Sequence, residues 1–212
     1  MTSKLIGATV DPATITLDSV AANVATPLQW TATNQFAAVT ATASGGPLGS
    51  AKADTPTIAD GAQQVFTVNV PAGSSRLDVS IGNAGDPNAD LDLFVTGPSG
   101  DLQSADGDSE EAVSYPSPLA GTYTVTVDGY SVPSGSTTFD YQDVFFSAAL
   151  GEIAVDGTPF EFPKGATKVI DGTVTARQPA AEGRSLFGSM QITSSSGAVI
   201  GTSDVLINAV TG

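Results

Sequence analysis

Gly85-Asp-Pro-Asn-Ala-Asp-Leu-Asp-Leu-Phe-Val95 is the stretch from which this chain is best read. Asp86, Asn88, Asp90 and Asp92 stand at every second position, and Leu91, Leu93 and Val95 fill the alternate positions at its far end. In an extended strand successive side chains point to opposite faces. Leu91, Leu93 and Val95 can therefore enter a core, while Asp90 and Asp92 share the other face, about 7 Å apart at roughly 3.4 Å per residue. The pattern predicts a core strand joined to a cation site. Calcium takes six to eight oxygens, and carboxylates, amides and carbonyls all serve. Carboxylates packed this closely also repel one another without a cation. The stretch is not an EF-hand, because Leu91 stands where the loop glycine belongs and Gly97 where the closing Glu belongs. The competing reading is a turn whose Asp and Asn side chains bond their own backbone.

Outward from this strand the chain reads as all-β. Gly and Pro are abundant, and strands rich in Thr and Val alternate with turn clusters. Residues 1–60 offer strands at Lys4–Val10, Thr14–Val20, Pro27–Thr33 and Phe36–Ala43, with Trp30 as a core residue. Gly49–Gly61, with Pro56 and no apolar period, reads as a linker. Beyond it, Val65–Val70, Arg76–Ile81, Ala89–Thr96, Thr122–Asp128 and Thr138–Ala148 make a compact unit, with Asp101–Glu111 as a polar loop. Five more strands follow: Glu152–Val155, Ala166–Ala176, Leu186–Thr193, Ala198–Gly201 and Val205–Val210. Neither terminal part has enough strands for a strong sandwich alone. The predicted organisation is two β-sandwiches. Residues 1–60 with 149–212 form a discontinuous outer one, into which 61–148 is inserted; beads in series are the alternative.

The net charge is −15, and it is localised. Between Leu77 and Pro163 there are fifteen Asp and Glu and no Lys or Arg; elsewhere seven acids meet seven bases. A nucleic-acid partner is excluded on this count, since phosphate neutralisation needs Lys and Arg. Divalent cations are favoured. Asp106, Asp108, Glu110 and Glu111, in the polar loop, are possible extra ligands if that loop folds toward Asp90, Asp108 and Glu110 first among them; the competing reading is a solvated loop. Tyr115, Tyr130 and Tyr141 are candidates for a substrate-binding surface.

The chain has neither His nor Cys. This removes thiolate metal sites and the usual general base of a hydrolase. Gly201-Thr-Ser-Asp resembles the nucleophile turn of subtilisin-like proteases, but it continues Val-Leu-Ile, and Ser203 has no base. Paired carboxylates for glycoside hydrolysis lack an apolar, aromatic setting in the sequence. The chain is therefore read as not an enzyme. No apolar run reaches the length of a membrane span. MTSKLIGATV lacks the apolar core of a signal peptide, so a secreted protein would carry its signal upstream or have lost it.

One longer segment resembles a known family. VPAGSSRLDVSIGNAGDPNADLDLFVTGPSG, followed by AGTYTVTVDGYSVPSG, is similar to the bacterial pre-peptidase C-terminal domain. The version it resembles lies in the C-terminal regions of secreted actinobacterial subtilisin-like serine proteases. GEIAVDGTPFEFPKGATKVIDGTVTA then resembles their fibronectin-III-like or immunoglobulin-like tails. The resemblance implies a jelly-roll-like domain without an active site, exported with a serine endopeptidase. Its partner would be the parent catalytic domain or a polymeric protein substrate. Some relatives bind calcium, and Asp90 and Asp92 stand where relatives place cation ligands. An adhesive or carbohydrate- or protein-binding surface module unrelated to proteolysis is the alternative function.

Overall fold

The computed structural model describes residues 7–212. The first residues of the expected Lys4–Val10 strand lie outside that range; the described strand is Ala8–Asp11. All regular structure among the described residues is β, with no helix. The chain divides into two compact units, one formed by the residues up to Gly49 together with Ala148–Gly212, the other by Ser50–Ser147.

In the 50–147 unit two sets of four hydrogen-bonded strands share one core. One has the order Ala112–Pro116, Arg76–Gly82, Asp140–Phe146, Gly49–Asp54. The other has the order Leu102–Ser104, Asp90–Thr96, Gly121–Ser131, Gln63–Val70. The alternation Leu77, Val79, Ile81 puts one face of the first sheet inward, and Leu91, Leu93, Val95 with Tyr123, Val125, Val127 does the same for the second. All nine side chains are buried. The two inner faces meet through rings: Phe66 stacks on Tyr141 at 3.9 Å, and Tyr115 meets Tyr123 edge-on at 5.1 Å.

The other unit is also two sheets. Ala8–Asp11, Thr26–Asn34, Thr167–Ala176, Gly151–Val155 and Gly46–Pro47 follow one another in the first. In the second, Ser185–Ser194 lies between Val199–Ile207 and Val39–Ser44. Thr14–Leu17 runs parallel to the Val199–Ile207 strand, pairing Thr14 with Asp204. Trp30, the lone tryptophan, is buried, as expected of a core residue. The packing is close enough that a Cβ on Gly188 would lie 2.7 Å from Ile153 Cδ1 and 2.9 Å from Leu48.

Three sequence expectations are corrected. Gly49–Gly61 is not a linker: it holds strands Gly49–Asp54 and Thr57–Ala59. Its buried residues are small, Ser50 and Ala51, so no large apolar period announces them, and Ile58 is the one bulky residue fully inside. The expected loop Asp101–Glu111 contains the edge strand Leu102–Ser104. Ala198–Gly201 and Val205–Val210 are replaced by one strand, Val199–Ile207, because Gly201-Thr-Ser-Asp runs straight through as extended chain. Ser203 is buried in it and donates its hydroxyl hydrogen to Pro12 O at 2.7 Å.

Candidate metal centre

The strand Asp90–Thr96 enters its sheet through an irregularity. Asp90 pairs with Ser131 and Asp92 with Asp128, so the register shifts between the two aspartates. Both carboxylates are half-buried rather than free in solvent. Asp90 Oδ1 has no solvent exposure and no hydrogen-bond donor. An oxygen in that state forfeits the donors it had in water, so its burial is costly unless a cation or donor reaches it. Asp92 faces Asp128 directly across the ladder, a like-charge pair that weakens the sheet.

The polar loop folds back onto this strand. Leu91 N donates to Asp108 O at 3.1 Å, and Ser109 Oγ donates to Ala89 O at 2.6 Å. Within the loop, Asp108 N donates to Asp106 Oδ1 and Glu110 N to Asp108 Oδ1, two Asx-type turns in succession. Glu111 ends the loop. Its main chain exchanges two hydrogen bonds with Ile81, and its carboxylate accepts from Asp106 N and from the Ser104 hydroxyl. It is almost completely buried.

Through this folding, carboxylate oxygens of Asp106, Asp108 and Glu111 come within 4.8 Å of one another. The Asp92 carboxyl is pushed above the usual carboxylate range, first by burial and then by the charges of Asp90, Asp128, Glu111 and Asp106. No Lys or Arg lies between Leu77 and Pro163 to offset them. The donor set is all hard oxygen, which suits calcium rather than a thiophilic or imidazole-seeking metal. Asp90 Oδ1, lacking any partner, is the observation that fits a cation here.

Of the ligands expected from sequence, Asp90 and Asp92 lie on this strand and Asp108 in the cluster. Asp86 is otherwise engaged. Its Oδ1 accepts from Asn88 N at 3.0 Å and its Oδ2 from Ser134 N at 3.0 Å. These bonds, the one from Asn88 first, hold its carboxyl below the usual range. Asp86 with Asn88 thus ties the 83–89 loop to the 132–136 turn. Of the four polar-loop acids the sequence offered as further ligands, Asp106, Asp108 and Glu111 are gathered and Glu110 is not; of these Glu111 is the buried one. Alternation would have found it: counting back from the inward Val113 and Tyr115, position 111 falls on the buried side. Tyr115 and Tyr141 are core residues and cannot be surface platforms. The Tyr115 hydroxyl lies 3.0 Å from both Val95 O and Gly100 O, and Tyr141 OH donates to Asp143. Tyr130 is exposed.

Residues 63–129 match the family model of the bacterial pre-peptidase C-terminal domain. The match covers the Gln63–Val70, Arg76–Gly82 and Asp90–Thr96 strands, the whole acidic loop and most of Gly121–Ser131. The matched segment therefore contains every residue of the carboxylate cluster. Over 122 residues the chain is 35% identical to Pyrolysin of Pyrococcus furiosus, an alignment covering 53% of this chain and 9% of that protein. Among solved structures, the lysozyme inhibitor PliG of Aeromonas hydrophila aligns at 15% identity and TM-score 0.32, over 62% of this chain and 96% of that one. Tripeptidyl peptidase 2 aligns at 10% identity and TM-score 0.33, over 88% of this chain and 26% of that one. At these scores neither likeness carries an argument.

Proposed function

We propose that this chain is a non-catalytic accessory module of a secreted subtilisin-like serine protease. It holds a calcium ion between the Asp90–Thr96 strand and the 104–111 loop. Asp90, Asp92, Asp106, Asp108 and Glu111 supply the oxygens. The 50–147 unit is read as jelly-roll-like and the outer unit as an immunoglobulin- or fibronectin-III-like sandwich. The similarity to Pyrolysin supports the protease as the parent protein. The chain itself has no His or Cys to activate a nucleophile.

The observation that supports the cation is the buried, unpartnered Asp90 Oδ1, on the strand to which the loop bearing the three gathered carboxylates is hydrogen-bonded. An ion there would satisfy that oxygen and offset both the burial and the like charges that raise Asp92. The ion would act by mass action, adding about 2.7 kcal/mol at a hundredfold excess over its dissociation constant. For a unit of this size that is a rise on the order of 10 °C in melting temperature. Calorimetry in calcium and in EDTA measures it. Equal midpoints in the two buffers would remove calcium from the reading.

A further inference from the structure

We propose that the Gln63–Val70 strand binds an extended segment of polypeptide along its outer edge, adding a strand to the sheet. The inference takes the source of the polypeptide, a protein substrate, from the accessory-module reading, but its geometry does not involve the cation. Gln63–Val70 closes the sheet order Leu102–Ser104, Asp90–Thr96, Gly121–Ser131, Gln63–Val70. Its one ladder runs from Gln63 opposite Asp128 to Val70 opposite Gly121, without a register shift. Among the described residues no strand pairs with its other edge. Only its first residues are engaged from the side, where the Gln64 amide donates to Thr57 O.

Exposed edges are normally blunted by short length, a charge, a proline or a bulge. The opposite edge of this sheet is blunted in that way, being three residues long. Gln63–Val70 has none of these devices. It is eight residues long, unbulged, and Pro71 comes only after it ends. From Gly61 to Ser75 there is no charged residue, in a unit that otherwise carries fourteen Asp and Glu against Lys52 and Arg76. No residue of the strand itself is charged; the Lys52 ammonium comes to 5.9 Å from the Phe66 ring centroid, against one face of the strand. Both faces can be extended. Phe66, only half-buried, borders the inner side, and Val65, at 62% exposure, with Thr67 borders the outer one.

Charge selects the occupant. A second copy would bring the same excess of acids to the contact and repel. A polypeptide with basic residues flanking an extended stretch is attracted instead by the acid excess of the unit, fourteen Asp and Glu against Lys52 and Arg76. Main-chain pairing of this kind tolerates many sequences, which suits a protein-degrading parent.

The test is amide hydrogen exchange on the 212-residue chain with the peptide acetyl-Lys-Thr-Val-Thr-Val-Thr-Lys-amide. Exchange at residues 65–70 should slow by about tenfold or more at saturation, in calcium and in EDTA alike. Binding should weaken as salt screens the lysines. The same peptide with alternate amides N-methylated should give no protection. Three results would overturn the proposal: no protection at millimolar peptide, equal protection by the methylated peptide, or protection confined to other strands. Protection of 65–70 that rises with protein concentration and needs no peptide would assign the edge to a second copy instead. Protection measured in EDTA reports the edge alone, and the calcium melting shift reports the metal centre alone, so either can fail without the other.

Discussion

Asp90 and Asp92 sit two residues apart on one strand, yet they meet different surroundings. Asp90 presents an oxygen with nothing to bond, whereas Asp92 meets a ring of like charges. Because the folded Asp92 carboxyl titrates above its unfolded value, its protonated form favours the fold. In EDTA this contribution is present at low pH and is lost as pH rises through the folded value. Asp92→Asn should therefore raise the melting temperature in EDTA by a few degrees and abolish the rise produced by calcium. A merely solvated aspartate would show neither effect. Asp86 has the opposite sign. Its folded value is depressed, so its small contribution is present above the unfolded value and disappears as pH falls through the folded one. Asp86→Asn should leave the calcium response intact and flatten the acid limb of the melting curve. The period-two pattern made Asp90 and Asp92 legible in the sequence, since strand alternation is a local rule. Which of the polar-loop acids is buried was hidden, because the burial of Glu111 depends on Ile81 and Ser104, which meet it only after the loop has folded.

The same contrast holds for strands and turns. The Gly97–Gly100 turn is clamped by two tyrosines. Tyr115 OH lies 3.0 Å from Gly100 O, and Tyr123 OH lies 2.6 Å from Ser99 Oγ. A Cβ on Gly97 would fall 2.3 Å from Tyr123 Cδ1, so Gly97→Ala must displace a buried ring. We expect it to cost about 1–3 kcal/mol in chemical denaturation, as overpacking does. Leu93→Ala, with no exposed surface to relax into, should cost about 2–5 kcal/mol. Strands with large alternating side chains, such as Arg76–Gly82, can be read directly from the chain. Gly49–Asp54 cannot, because small buried residues carry no hydrophobic signal. Glycine misled in a second way at Gly201, which reads as a turn but continues a strand. There an added Cβ would come 3.0 Å from Val10.

At the scale of the molecule, the grouping into 50–147 and the remainder depends on contacts between residues far apart in sequence. No local pattern shows these, and the sequence boundary at 60/61 falls within the compact 50–147 unit. Residues 50–147 expressed alone should melt cooperatively and retain the calcium response, because every proposed ligand lies inside them; a non-cooperative melt would show that the remainder is needed. The outer unit has no such independence. Thr14 finds its partner at Asp204, and Val20 at Val210. During synthesis Thr14–Leu17 and Val20 emerge early and must wait while all of 50–147 is made before their partners exist. The inner unit can be complete by then, its own ladders closing over shorter loops. Maturation of this chain is therefore scheduled from the inside outward, with the parallel seams at Thr14 and Val20 sealed last.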